Sequence, residues 1–141
     1  MKPLIALYFF ILALIQAGLL LGIYNYYRPQ NSVRVSKYWM ISLLVSILAL
    51  LIFGAGVLTI DDVSRPQFNF TVANSLFIAA AIFQGFFCIS LTRSISSRHL
   101  TVAGVGFLIF FASFEALRRE GSFESRTIFM AGLASMLYIW Q

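Results

Sequence analysis

The chain has 141 residues and a formal net charge of +5, with 60% hydrophobic, 16% aromatic and only 11% charged side chains. Soluble domains carry about 25% charged residues, so a soluble fold is excluded. The ten basic residues are scattered among short connections and make no face that could follow a phosphate backbone, so no nucleic-acid partner is expected. One cysteine, Cys88, and one histidine, His99, cannot form an intrachain disulfide, a thiolate cluster, a bis-histidine haem site or a helical zinc site. Neither a metal nor a cofactor is expected.

The first apolar run predicts a membrane span over 4–26, since a bilayer core needs about 20 apolar residues. It is too long for a secretory signal and lacks an A-x-A cleavage site. Tyr24, Tyr26 and Tyr27 form the aromatic belt expected where a helix leaves hydrocarbon. Gly18 and Gly22 make a G-x-x-x-G, preceded by the small pair Ala13 and Ala17, and are the expected helix-packing positions. The connection 28–37 breaks the helix at Pro29, Asn31 and Ser32 and carries Arg28, Arg34 and Lys37 without an acid, which reads as cytoplasmic.

Trp39, with Tyr38, opens a second span over 39–59 and is the expected interfacial anchor. Gly54 and Gly56 are expected to thin one face near its far end, and Ser42 and Ser46 to bond back to carbonyls one turn earlier. Asp61, Asp62 and Arg65 then form the most acidic connection, read as external.

The third span, 68–92, carries the amides Asn74 near its start and Gln84 in its middle. Amides in lipid are unfavourable without partners on a neighbouring helix, so this span is expected inside a bundle. Asn74 and Gln84 are the candidate ligand or interhelical polar contacts. Arg93, Arg98 and His99 mark the next connection as cytoplasmic. A fourth span over 100–117 contains Gly104 and Gly106, and Phe107, Phe110, Phe111 and Phe114 lie along it. Glu115 falls in its last turns with Arg118 and Arg119 at i+3 and i+4, which predicts a locally paired carboxylate rather than a proton relay. After a mixed-charge turn with Glu120, Gly121, Glu124 and Arg126, a short apolar run over 127–141 reads as a partial or tilted helix, or as one that continues further.

These elements predict an all-α integral membrane helical bundle, a single domain over 1–141 with four full spans and a fifth short helix. Alternating spans put Arg28, Arg34, Lys37, Arg93 and Arg98 on one side and Lys2, Arg65, Arg118, Arg119 and Arg126 on the other. The early loops favour an external amino terminus.

The order of features resembles the amino-terminal membrane sensor region found ahead of bacterial diguanylate cyclase (GGDEF-type) output domains and some sensor kinases. The resemblance rests on the apolar first helix and on the basic entry Arg34, Val35, Ser36, Lys37, Tyr38 and Trp39. It rests further on a glycine-containing second helix, the helix entry Ala73, Asn74, Ser75 and Leu76, the closing Arg93, and Arg126 at the last helix. No Gly-Gly-acid loop or kinase signature occurs in these residues, so the resemblance implies an input module without cyclase activity of its own. It further implies a multi-pass protein of the bacterial inner membrane, with the lipid bilayer, a second copy or a cytoplasmic output partner as its contacts. No catalytic residue is expected, because intramembrane catalysis needs paired acids, histidines or an activated nucleophile. Two other readings are a small accessory subunit of a larger membrane complex and half of a dimeric small-molecule transporter. The transporter reading would need Gln16, Gln84 and Cys88 to converge at mid-membrane.

Overall fold

The computed structural model describes residues 1–27, 36–60 and 66–140. Their regular structure is all α: α1 (Lys2–Tyr27), α2 (Lys37–Thr59), α3 (Phe68–Ser90), α4 (Ser97–Glu120) and α5 (Phe123–Trp140). The first four are long and apolar enough to cross a membrane, which makes this a multi-pass membrane protein. At 18 residues, with Glu124 and Arg126 in its first turn, α5 is the expected fifth short helix. Arg28, Arg34, Asp61, Asp62, Arg65, the helix breakers of 28–35, the rings of Tyr26 and Tyr27, and Gln141 lie outside the described residues.

Several boundaries differ from expectation. Lys37 begins α2 instead of ending the connection, its ammonium 5.2 Å from the Tyr38 ring centroid. The mixed-charge turn shrinks to Gly121 and Ser122, so α5 starts four residues earlier than the apolar run does. The cause is a serine cap: the Ser125 N–H donates to Ser122 Oγ at 3.2 Å, satisfying an otherwise orphaned helix-start donor. Gly121 closes α4, its N–H donating to the Leu117 carbonyl at 2.8 Å. A Cβ at Gly121 would stand 2.6 Å from that oxygen, so the close approach needs glycine.

Chain order and packing place α1, α2 and α3 in a row, with α4 and α5 touching α3 beyond it. As expected of a helix inside the bundle, α3 is the most buried span. The row is closely packed because small residues line its seams: Ala6 and Ala13 of α1, Ala49, Gly54 and Gly56 of α2, and Ala73, Ala80 and Ala81 of α3 are buried. Gly54 and Gly56 serve two faces and not one. Two residues turn about 200° on a helix, so Gly54 admits the Phe10 ring of α1 while Gly56 admits Asn69 and Phe70 of α3. Ser42 also departs from expectation: its hydroxyl donates across the seam to the Ala80 carbonyl at 2.8 Å instead of one turn back.

Phenylalanines zip the helices together. Phe53 of α2 meets Phe9 of α1 at 5.4 Å and Phe70 and Phe77 of α3 at 5.7 and 5.5 Å between ring centroids. Beyond α3, Ile78 packs with Phe110 and Phe114 of α4, and Phe129 of α5 stacks on Phe110 at 5.8 Å. The two ends of the molecule are marked separately. Lys2 donates to the Ile60 carbonyl at one end, and Trp39 stacks on Phe87 at 5.9 Å at the other.

Candidate functional site

At the end that holds Ile60, the first turn of α3 meets the last turns of α4. Thr71 lies three residues into α3 and Glu115 five residues from the end of α4, so the antiparallel helices bring them to similar depth. Arg118 grips the Glu115 carboxylate with two bonds, Nε to Oε2 at 2.8 Å and Nη2 to Oε1 at 2.6 Å. This fork-to-fork geometry is among the stronger polar contacts available to proteins. Arg119 Nε adds a bond to Oε1 at 2.8 Å, and the fully buried Thr71 hydroxyl donates to Oε2 at 2.8 Å. The third arm of Arg118, Nη1, donates to the Pro66 carbonyl at 2.8 Å.

A carboxylate that already accepts from four donors is badly placed to pass a proton. The paired reading of Glu115 is thus the one its geometry supports. Arg126, buried at 6% exposure, ties the hairpin turn: its Nη1 donates to the Gly121 carbonyl at 3.1 Å and to that of Arg118 at 3.4 Å. One network therefore links the start of α3, the end of α4 and the start of α5.

Beside this network lies a cavity of about 580 Å³, bounded by α2, α3, α4 and α5. Phe53, Phe70, Phe77 and Phe114 supply apolar walls, while Asn74, Arg118, Arg126 and Thr127 bring polar groups to it. A second cavity, of about 520 Å³, lies between α3, α4 and α5 towards the opposite end. Both have the size and largely apolar lining of small-molecule sites.

The sequence-derived positions fare differently. Asn74 lines the first cavity, but its amide donates to the Phe70 carbonyl one turn back at 2.7 Å and makes no described bond to another helix. Gln84 is half-buried on α3, about 15 Å further along the helix, and borders neither cavity. Trp39 stands at the start of α2, against Phe87. Gly18 and Gly22 meet no other helix: a Cβ at either would have nothing within 4 Å, because α1 turns Ala6 and Ala13 towards α2 and leaves the glycines outward. Gln16 belongs to α1, and α2 stands between it and Gln84 and Cys88 on α3.

Sequence reasoning missed Thr71 as a partner of Glu115 and the closing of the α4–α5 turn by Arg126. The signal for Thr71 was the matching depth of two antiparallel helix ends. For Arg126 it was a lone cation just after a Gly-Ser turn with carbonyls to close. Among the described residues no group of three or more His, Cys, Asp and Glu side chains could hold a metal. No known protein family, curated protein or solved structure matches this chain.

Proposed function

We propose that this chain is a non-catalytic input module of the bacterial inner membrane, of the sensory and signal-transducing kind. In this reading an apolar molecule or a membrane state biases the position of the α4–α5 hairpin against the α1–α3 row. The hairpin then passes the change to a cytoplasmic output partner. A ligand shifts such an equilibrium only through unequal affinity for its two arrangements. The observation carrying the proposal is the uneven packing: the row is sealed by small residues, whereas α4 and α5 rest on α3 with a cavity towards each end. A cavity bordered by both bodies changes shape when they move, so an occupant there can favour one arrangement. The GGDEF-type resemblance names the class of output.

A second reading, an accessory subunit or a homodimer, draws on the open notch at Gly18 and Gly22, flanked by exposed Leu14, Ile15, Leu19 and Leu21. Small residues on an exposed apolar face allow another membrane helix to approach closely.

The mass of the endogenous product in its native membranes separates the two. A product well above the mass of 141 residues, continuing into a cyclase or kinase domain, supports the input module, as does a free chain co-isolating with such an enzyme. A free chain that co-isolates only with subunits of a larger membrane complex overturns the sensory reading in favour of the accessory one.

A further inference from the structure

The second cavity opens at the end of the molecule opposite Glu115. Its interior is apolar, with Ile78, Ile82 and Phe86 of α3, Phe107 of α4, and Leu133 and Leu137 of α5. Its polar lining is of one kind. Arg98 and His99 border it, and no carboxylate does. The His99 Nδ1 accepts the Ser96 N–H at 3.2 Å within a capping box, which places the proton of the neutral ring on Nε2. Both side chains therefore can present donors, and Arg98 adds a fixed positive charge.

The acids lie at one end only: the described carboxylates Glu115, Glu120 and Glu124 all sit at the far ends of α4 and α5. Cations occur at both ends, Lys2, Arg118, Arg119 and Arg126 with those acids and Lys37, Arg93 and Arg98 at this end, where no described carboxylate offsets them. An apolar slot under a basic rim is complementary to one common membrane component. We infer that this cavity binds an anionic phospholipid, its phosphate at Arg98 and His99 and one acyl chain between α4 and α5 along Gly106. Basic pockets between membrane helices on the cytoplasmic side take anionic headgroups, and the external amino terminus that the early loops favour puts Arg93 and Arg98 on that side. The site stands whether or not the chain is a sensor.

Room for the chain depends on Gly106, beside which a Cβ would meet nothing within 4 Å. Gly106 borders the cavity, so a larger side chain there takes up space beside it, and leucine has the higher helix propensity. This separates the acyl slot from the headgroup site.

The test uses the delipidated full chain in detergent and measures retention of palmitoyl-oleoyl phosphatidylglycerol against phosphatidylcholine of the same acyl chains by native mass spectrometry. Wild type is expected to retain the anionic lipid selectively. Arg98→Gln lowers that selectivity about fivefold, the weight of one arginine near an anionic headgroup. Gly106→Leu lowers retention of both lipids while leaving helicity by circular dichroism intact, and Ala103→Leu on the same wall serves if that variant is not recovered. Arg119→Gln, at the other end, changes neither. Equal retention of the two lipids by wild type overturns the inference, as does unchanged selectivity in Arg98→Gln. Full displacement by inorganic phosphate alone also overturns it, because the site would then read phosphate without the lipid.

Discussion

Replacing Glu115 by Gln keeps the shape of the side chain and removes the charge that holds three donors from α4 and one from α3. Its cost can be bounded from the exposure of the partners. Glu115 and Arg118 are 15% and 18% exposed, while Arg119 is 70% exposed. Breaking a fully buried pair costs about 3–5 kcal/mol, and an exposed pair contributes about 0.2–1 kcal/mol. The partly buried, bidentate Glu115–Arg118 contact lies between, at about 2 kcal/mol for Glu115→Gln or Arg118→Gln. Arg119→Gln should cost under about 0.5 kcal/mol, since its exposed guanidinium is screened by water. Reversible unfolding in mixed micelles, followed by far-ultraviolet circular dichroism, gives each value. A double-mutant cycle should return a Glu115–Arg118 coupling above about 1 kcal/mol. The reasoning is refuted if Arg119→Gln destabilises as much as Arg118→Gln, or if Glu115→Gln is neutral within about 0.3 kcal/mol.

Other changes test the remaining contacts in the same assay. Thr71→Val removes one hydroxyl from the carboxylate at nearly constant shape and should cost about 1 kcal/mol. Ser42→Ala loses the bond across the α2–α3 seam and should cost about 0.6 kcal/mol, typical of interhelical hydrogen bonds in membranes. Gly56→Ala would bring a Cβ to 2.8 Å from Asn69 Nδ2 and 3.2 Å from the Phe70 ring, so overpacking of about 1–3 kcal/mol is expected. Gly18→Ala and Gly22→Ala should leave the isolated chain at least as stable as wild type, since both positions are open. A loss on sucrose-gradient or cross-linking measurements of self-association in these two variants would instead mark the notch as a contact between copies.

Most of the fold was legible because hydropathy in a bilayer is a strong constraint: a run of apolar residues has few structures open to it other than a helix. The four spans and the short α5 follow from run length alone. Helix ends were less legible where a local hydrogen bond outweighed hydropathy, as Ser122 did in starting α5 within a charged segment. Pairwise packing was least legible. The glycines of α1 fit a packing motif, but Ala6, Phe10 and Ala13 present the face that α2 meets. On α2, Gly54 and Gly56 look like one thin patch in sequence and divide between two neighbours in space. Glu115 was readable from its i+3 and i+4 arginines, since both ends of those contacts lie on one helix. Thr71 and Arg126 needed the relative depth of separate helices, which periodicity does not carry. Asn74 looked like an interhelical donor but satisfies itself on its own helix, an option that a carbonyl four residues earlier always offers.

The central claim is that the α4–α5 hairpin shifts on a fixed α1–α3 row. Pulsed electron-spin distance measurements in lipid nanodiscs test it directly, with labels at Leu44 of α2 and Ser135 of α5, both exposed, in a Cys88→Ser background. A control pair at Leu44 and Leu19 reports the row alone. Filling the first cavity through Ala134→Phe should change the Leu44–Ser135 distribution and leave the Leu44–Leu19 distribution unchanged. A Leu44–Ser135 distribution that is single and identical with and without Ala134→Phe would contradict the account.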